Sequence, residues 1–514
     1  MDSQNRTEII EDDFLLNNLP NCQDMLSKIL PHKDMLYYPP SSGLPSFIKV
    51  FDFASQKNQG EDDEFISIDT KTSSQAKNKS KQNKKNANAQ YAQNTKQKQT
   101  AQNKNAYAPP QPKFKVSQTI NPESSWKIIA DFNKLTLEKL RLDQDTEVEV
   151  EEKSLVGNVY QLNEEMEERI NPFNPLSLNK YDNMKFFGNI TTLEDEMLKT
   201  ADFANVFVTE KILSVIMTCV YNSHPWHLKI RKVANNIYID KMENSEIDLV
   251  TVNESDNTPS DDDDRNINGY KSLAIEATLI NEFIKEQMVD LKSKPLLTDN
   301  DNPFKDSEMK EEEVEHLGYR YRLFTIDDMK VIVRCQVHAY IPKDEESDSN
   351  EEEEEEEKED EKVKREKVEY VNIYALNEFD KNSYLSKESN LIPLLLKKEL
   401  QSNHLKLTKW GVNCYLAGVD KMKIGFVTRK NVKENNGHLI SGFYDVSCDD
   451  LLKVTNFNKT IAWGIFKEII EIIRRQKEDG AFIIMKTLGL TGAKSMLKLY
   501  KVPESTFKTE NEDQ

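Results

Sequence analysis

The sequence lacks the cysteine pattern of a disulfide-stapled protein or a zinc site. Its five cysteines are odd in number and never form a C-x-x-C pair. A disulfide framework and an ordinary zinc knuckle are therefore excluded, and reduced thiols are predicted. The sequence also has no run of about 20 apolar residues and no basic-then-apolar signal peptide. We expect a soluble, non-secreted, cytoplasmic protein without membrane contact.

Common catalytic motifs are missing as well. No G-x-G-x-x-G, P-loop, G-x-S-x-G or H-E-x-x-H pattern occurs, so dinucleotide use, phosphoryl transfer and the common hydrolases have no sequence support. His224 and His227 stand three apart, but Pro225 breaks a helix there and no third ligand is near. Ordinary loop histidines are favoured over a metal site, and no cofactor is predicted.

What the sequence does have is charge. Of 514 residues, 31% are charged and 37% hydrophobic, and the net charge is −20. This balance supports one sizeable core in part of the chain and predicts disorder elsewhere. It argues against a protein that coats nucleic acid with its whole surface, because that needs lysine and arginine facing phosphate. Any RNA contact must be local.

Two low-complexity segments of opposite sign interrupt the chain. Residues 71–115 contain eleven Lys, eight Gln and seven Asn without an acidic residue, which predicts a disordered basic tract. Residues 344–369 contain sixteen acidic and five basic residues. Because strand-like sequence flanks this acidic segment on both sides, we interpret it as a loop insertion within one domain.

The first 70 residues form an arm with short aromatic clusters. Tyr37 and Tyr38 precede a Pro-Pro pair, and residues 47–53 combine aromatic, apolar and polar side chains. Such a segment is typical of a docking peptide, although a strand added to the main domain is an equally weighted alternative.

From residue 126 onward, apolar periodicity predicts a folded α+β domain. A helix is predicted after Thr209, another from Ser272 and a third around residues 461–473. Strands are predicted at the following ranges: 236–240 and 247–252 (as a hairpin), 330–341, 370–376, 410–416, 423–429, 482–488 and 495–502. The elements follow no regular βαβ period, so we predict one domain over 125–507, with a tail at 508–514.

One cluster suits RNA. Trp226 lies just after the predicted helix end, close to three cations, Lys229, Arg231 and Lys232. An aromatic plane beside cations can stack a base and bind its phosphates. A buried tryptophan with solvated lysines is the alternative.

A collinear series of blocks resembles the d-subunit family of eukaryotic translation initiation factor three, its mRNA cap-binding subunits. The blocks are residues 207–219, 247–254, 273–281, 319–322, 331–335, 375–379, 409–410, 416–418 and 462–465, with 33–35 and 50–53 in the arm. The resemblance implies a cup-shaped domain similar to the DXO-type decapping exonucleases. It also implies docking on the small ribosomal subunit near the mRNA exit and binding of the mRNA 5′ cap, which supports cap-dependent initiation of selected mRNAs. The resemblance implies that the arm binds other subunits of the factor, above all the e subunit. A homo-oligomer is not expected.

The family's cap groove lies between two helices. Carried over by the resemblance, its positions here are Glu210, Ser223, His224, Thr278, Asn281 and Glu282. The loop at 253–269 takes the place of the family's RNA gate, and it contains four consecutive acidic residues: Asp261, Asp262, Asp263 and Asp264. Unlike the family's Arg-rich tract, residues 71–115 contain no arginine, which favours unspecific phosphate contact.

Two rival functions remain. The DXO-type fold hydrolyses caps with E-x-D and E-x-K carboxylates, but Gln336 and His338 stand at the first motif, and Glu399 is followed by Gln401 at the second. Glu276 and Glu399 alone make a poor metal site, so an enzyme is not predicted. A purely structural scaffold without cap contact is the other alternative.

Overall fold

The computed structural model describes residues 120–171, 173–221, 224–242, 245–252, 254, 266–343, 367–378, 396, 399–487 and 495–507. Within these ranges the chain forms two mixed sheets with helices packed against them, which confirms the predicted α+β class. The predictions made for 1–70, 71–115, Ser223, Asp261 to Asp264 and 508–514 lie outside the described residues, as does the 344–366 part of the loop insertion predicted at 344–369. The end of that prediction is wrong, because Val368 and Glu369 lie in a strand that pairs with Pro342 and Ile341.

The strands of the described chain are numbered in order. They are β1 (Lys127–Asn133), β2 (Glu149–Gly157), β3 (Leu176–Ser177), β4 (Val206–Thr209), β5 (Trp226–Val233), β6 (Asn236–Asp240), β7 (Gly318–Ile326), β8 (Met329–Val337), β9 (Ala339–Pro342), β10 (Val368–Glu378), β11 (Lys421–Arg429), β12 (His438–Ser447), β13 (Gly480–Lys486) and β14 (Ser495–Val502).

The helices are numbered in the same way. They are α1 (Lys134–Leu137), α2 (Glu164–Arg169), α3 (Glu196–Lys199), α4 (Glu210–Met217), α5 (Tyr270–Gln287), α6 (His404–Ala417), α7 (Cys448–Val454) and α8 (Lys459–Arg474). None of those in the described ranges is long and apolar enough to cross a membrane.

The larger sheet has nine strands in the order β1-β14-β13-β5-β6-β4-β8-β7-β2, and the smaller has five in the order β3-β12-β11-β10-β9. The chain passes from β8 in the larger sheet to β9 in the smaller one with only His338 between them. Strand β10 then pairs with β9 antiparallel and with β11 parallel. The two sheets therefore meet at His338, and polar residues near this junction come close to both.

Helix α5 covers the smaller sheet. Its inner residues Leu273, Ala277 and Ile280 belong to one buried cluster with Val371 and Ile373 of β10. Burial of such a stripe is the main force that holds a helix to a sheet. The helices predicted after Thr209, from Ser272 and around 461–473 are confirmed, as are the strands at 236–240, 370–376, 423–429 and 495–502. The strand predicted at 482–488 is found as far as Lys486, and the one predicted at 330–341 is found as two strands, β8 and β9, interrupted at His338.

The strand predicted at 410–416 is wrong, because these residues lie in helix α6. Twelve of its fourteen residues are buried. A helix surrounded by protein has no polar face, so its sequence shows no amphipathic period and resembles a buried strand. The helix ends at Gly418, whose φ of 62° is the left-handed conformation that glycine adopts without strain.

The hairpin predicted from 236–240 and 247–252 is also wrong. Strand β6 pairs instead with β5, which precedes it, in antiparallel register from Lys229↔Asp240 to Val233↔Asn236. Residues Glu246–Asp248 form a 3-10 turn. The N–H of Val250 donates to Oγ1 of Thr278 at 2.9 Å, so this segment is bonded to helix α5 and not to a strand.

Candidate functional site

A cavity lies between helices α4 and α5, where the two sheets meet; we call it cavity A. Its lining includes Glu210, Lys211 and Ser214 of α4, Thr278, Asn281, Glu282 and Lys285 of α5, Gln336 and His338 at the end of β8, Tyr374 of β10, Lys406, Lys409, Trp410 and Asn413 of α6, and residues 247–251. Four of the predicted groove positions, Glu210, Thr278, Asn281 and Glu282, are thus brought together in one cavity.

Glu210 enters cavity A because helix α4 starts directly after strand β4. The four residues of β4 are buried between the parallel strands β6 and β8, and Glu210 is the first residue of the helix that follows. A carboxylate in the first turn of a helix is stabilised by the N-terminal end of the helix dipole.

Glu210 is nevertheless deeply buried. Its side chain is 5% exposed, and Oε2 has no hydrogen-bond partner among the described residues. Burial raises the pKa of Glu210 to about 8, against the opposing effects of the Gln336 N–H and the nearby cations Lys211, Lys285 and Arg334.

Two predicted groove residues on α5 use their polar groups to hold the protein together. Asn281 donates through Nδ2 to the carbonyl of Ala375 at 3.0 Å and accepts from the N–H of Ala375 at 2.9 Å. Thr278 donates to the carbonyl of Ala274 while accepting from Val250. Asn281 thus bonds α5 to β10, and Thr278 bonds α5 to the segment that forms one wall of the cavity.

Glu282 is paired within its own helix. Its Oε2 accepts from Nζ of Lys285 at 2.7 Å, and both side chains are largely buried. Glu282, together with its neighbours Glu315 and Glu286, raises the pKa of Lys285 against the lowering effect of burial. Lys285 therefore stays charged at the cavity wall.

Aromatic rings line the opposite side of cavity A. The rings of Tyr374 and Trp410 stack with their centroids 4.7 Å apart and an angle of 14° between planes. Nζ of Lys406 lies 5.7 Å from the Trp410 centroid, and His338 meets Tyr374 edge-on at 5.7 Å. Stacked aromatic rings beside an ammonium group form a surface suited to a flat, polarisable ligand.

His338 is neutral in this setting. Its Nδ1 lies 2.9 Å from the backbone N and 3.1 Å from the carbonyl O of Ile373. Burial, reinforced by Lys285, holds the pKa of His338 well below its usual range. The imidazole is thus uncharged at the junction of the two sheets.

Four lysines line cavity A, together with the carboxyl groups of Asp248 and Glu282. Lys211 donates to Oδ1 of Asn189 at 3.0 Å, Lys285 pairs with Glu282, and Lys406 pairs with Glu399. Burial lowers the pKa of Lys409 to about 8, although the carboxylate of Glu254 opposes the shift. The sequence-based prediction omitted Lys406, Lys409 and Trp410 because it placed a strand at 410–416 and no element at 404–409, so the three residues were not recognised as sharing a helix.

The histidine and tryptophan predicted for the groove lie elsewhere. His224 and Trp226 line a second cavity, cavity B, whose wall also includes Val215, Pro225, Glu246, Tyr270 and Leu405. Cavity B shares Ile247, Leu249, Thr251 and Lys409 with cavity A. The two predicted groups therefore belong to neighbouring spaces separated by the 247–251 segment.

Lys229, Arg231 and Lys232, predicted to bind phosphate, line neither cavity. They lie on β5, between β13 and β6 within the larger sheet. Lys232 donates to the carbonyl of Gln476, and the guanidinium of Arg231 lies 5.6 Å from the Phe507 ring. The strand direction takes them away from Trp226, and the lysines of α4, α5 and α6 occupy the cavity wall in their place.

The carboxylates considered for metal-dependent cleavage are engaged in ion pairs. Glu276 accepts from Nε of Arg429 at 2.8 Å and contacts Nε2 of His438 at 2.7 Å. Glu399 pairs with Lys406 and accepts from Asn403. In the described part of the chain, no group of three His, Cys, Asp or Glu side chains is placed to hold a metal ion.

Comparisons with known proteins point to one family. Residues 42–501 match the family described as eukaryotic translation initiation factor 3 subunit 7 (eIF-3). The D subunit of eukaryotic translation initiation factor 3 from Nasonia vitripennis is 31% identical over 78% of this chain and 67% of its own length. The D-1 subunit from Drosophila yakuba is 32% identical over 67% of this chain and 59% of its own length. The chain thus spans about three fifths to two thirds of these relatives.

Among solved structures, Scheffersomyces stipitis Rai1 in complex with (3′-NADP)+ and calcium ion is similar with a TM-score of 0.43 and 11% identity, covering 75% of this chain and 95% of that one. The family match alone extends over nearly the whole sequence. The chain belongs to the eukaryotic translation initiation factor 3 subunit 7 family, whose similar members are named as the D subunit of that factor.

Proposed function

We propose that this translation initiation factor subunit binds the 5′ cap of mRNA in cavity A. The observation that supports it best is Glu210, a buried carboxyl group in the cavity wall whose Oε2 has no partner in the described chain. An unpaired buried acceptor costs about 1–3 kcal/mol, so a ligand that supplies N–H groups to it gains affinity. The cap's methylated guanine carries a positive charge and has N–H donors on its Watson–Crick edge.

The rest of the cavity matches the rest of the cap. The stacked Tyr374–Trp410 pair gives the cavity an aromatic wall against which a flat purine can pack. Lys211, Lys285, Lys406 and Lys409 line the same cavity and suit the triphosphate. Since Thr278 and Asn281 use their polar groups on the backbone, their proposed role is to shape the groove.

Binding without cleavage is part of this proposal. Gln336 and His338 line cavity A, and an amide and a neutral imidazole are weak ligands for the hard divalent cations used in phosphate-ester hydrolysis. The four lysines also disfavour the binding of a divalent cation in this cavity. Magnesium-dependent loss of the cap from a capped RNA would show an enzyme instead.

The proposed macromolecular partners are the small ribosomal subunit and the other subunits of the factor. As part of initiation factor 3, the chain would dock on the small ribosomal subunit near the mRNA exit and contact the e subunit through its arm at 1–70. A scaffold protein without cap contact is the alternative. Release from the rest of the factor after deletion of residues 1–60 would support the arm as the tether.

The test compares two buried carboxyl groups. Glu315 is 2% exposed and its Oε2 also has no partner in the described ranges, yet it does not line cavity A. We expect Glu210→Gln to weaken retention on immobilised cap analogue by about tenfold or more, since hydrogen bonds to charged groups contribute about 1.5–3 kcal/mol. Glu315→Gln should weaken retention far less, because Glu315 acts on cavity A only through the charge of Lys285.

Competition distinguishes the alternatives. Free 7-methyl-GTP should release the wild-type chain, whereas GTP should release it poorly. A chain that is not retained at all, or that both nucleotides release equally, would favour the scaffold.

A further inference from the structure

Cavity B differs in character from cavity A. Its wall is mainly apolar and aromatic, with Val215 of α4, Trp226 at the start of β5, Tyr270 at the start of α5 and Leu405 of α6 among its residues. The wall contains one carboxyl group, that of Glu246. Burial raises the pKa of Glu246 to about 9, against a weaker opposing effect of Lys271. The carboxyl group is therefore uncharged at neutral pH.

Trp226 places an indole N–H, without an acceptor in the described chain, in the wall of cavity B. The residue is 3% exposed, and its Nε1 has no hydrogen-bond partner among the residues that the structure describes. A buried indole N–H normally finds an acceptor. A ligand that fits this wall therefore combines a flat apolar body with an acceptor atom.

The position of cavity B relates it to the proposed cap site. Ile247, Leu249, Thr251 and Lys409 line both cavities, so the shared wall consists of the 247–251 segment and one residue of α6. Lys409 brings an amino group to this shared wall. A molecule with a phosphate bridge between two flat groups matches this arrangement, with one flat group in each cavity and the phosphates near Lys409.

We propose that cavity B binds the base of the first nucleotide after the cap. The inference rests on the proposed cap binding in cavity A. In a capped RNA the triphosphate joins the methylguanine to the first nucleoside, so a cap held in cavity A directs the next base towards the shared wall. The Trp226 N–H donates to a base acceptor, and guanine, which presents both O6 and N7, is a better match than adenine.

The test measures the affinity of the full-length chain for 7-methyl-GTP, for the dinucleotide m7GpppG and for m7GpppA. We expect wild type to prefer m7GpppG over 7-methyl-GTP. Trp226→Phe keeps an aromatic ring and removes the N–H, and it should reduce that preference by about two- to tenfold while leaving the affinity for 7-methyl-GTP unchanged.

Trp126→Phe is the matched control. Nε1 of Trp126 is also buried without a partner in the described chain, but Trp126 packs on a separate cluster against Tyr500. The Trp126→Phe variant should retain the wild-type preference for m7GpppG over 7-methyl-GTP. Val215→Phe fills cavity B with a larger side chain. It should reduce the preference for m7GpppG over 7-methyl-GTP, as Trp226→Phe does. An unchanged affinity for 7-methyl-GTP would again show that the fold is intact.

The outcomes separate the two proposals. If wild type binds 7-methyl-GTP and m7GpppG equally, or if both cavity B variants keep the preference, the second base site is wrong while cap binding stands. If no cap ligand binds to any of the proteins, cap binding fails and the base site fails with it.

Discussion

Glu254 accepts a hydrogen bond from the backbone N–H of Lys406 at 2.9 Å and so fixes the first turn of helix α6. The same carboxylate accepts from the N–H of Leu405 at 2.8 Å, and its own N–H donates to Asn403. A buried carboxylate at a helix N-terminus satisfies orphan donors and interacts favourably with the helix dipole. Helix α6 brings Lys406, Lys409 and Trp410 to cavity A, so Glu254 positions part of the proposed site.

Replacing Glu254 should therefore reduce both stability and ligand binding. Glu254→Ala leaves the Leu405 and Lys406 N–H groups unpaired, and we expect a loss of about 1–3 kcal/mol in the free energy of unfolding. Urea denaturation would measure it. Glu434→Ala, at an exposed residue whose carboxylate accepts from the Asn431 side chain, is the control. Equal midpoints for the two variants would contradict a capping role.

Glu210 should make stability depend on pH. Its pKa is about 8 in the folded protein and 4.5 in the unfolded reference. Between these values the folded state holds a proton that the unfolded state has released, so stability is lost as pH rises through this window. Glu210→Gln removes the effect, and it should stabilise the protein by up to a few kcal/mol above pH ~8 and hardly at all near pH ~4.5.

Denaturation of wild type and Glu210→Gln at several pH values would measure this difference. Glu165→Gln, at an exposed carboxylate paired with Arg169, should show no such trend. A constant difference between wild type and Glu210→Gln across the pH series would refute the raised pKa.

Lys486 should show the opposite dependence. It is 1% exposed, and its Nζ donates to the carbonyl of His224 at 3.2 Å. Burial lowers its pKa from 10.5 to about 7, against the opposing effect of Cys219. The cost of burying the charge is present below pH ~7 and disappears as pH rises towards ~10.5. Lys486→Met should therefore stabilise the protein by up to a few kcal/mol at pH ~6 and little at pH ~10.

The same pH series serves as the measurement for Lys486→Met. Lys467→Met, at a partly exposed lysine of helix α8 that pairs with Asp327, is the matched control. If Lys486→Met destabilises the protein equally at both pH values, the ammonium group contributes through a bond and not through its charge.

The acidic segment should be replaceable by a short turn. The strands on either side of it pair directly, in antiparallel register from Val368↔Pro342 to Val371↔Ala339. A Gly-Ser turn can close such a pair, and shortening a long connection costs little free energy. Replacing 344–366 should change the melting temperature by no more than a few degrees. A large fall on thermal denaturation would show that the segment contributes to the fold.

Local sequence patterns were sufficient to predict the fold class, half of the described strands and three of the described helices, because partly exposed elements carry a clear apolar period. The α4 and α8 stripes and the β13 and β14 strands were predicted from local spacing and are found in the structure. The family resemblance also placed Glu210, Thr278, Asn281 and Glu282 in one groove, and these four line one cavity.

The cations and rings around that cavity depend on tertiary packing. Helix α6 is buried on nearly all sides, so its sequence has no period that distinguishes helix from strand, and Lys406 and Trp410 could not be assigned to the site. Trp226 and Lys229 both lie on β5 of the larger sheet, yet only Trp226 lines cavity B. Which side chains meet depends on strand order and helix packing, and sequence spacing does not encode either.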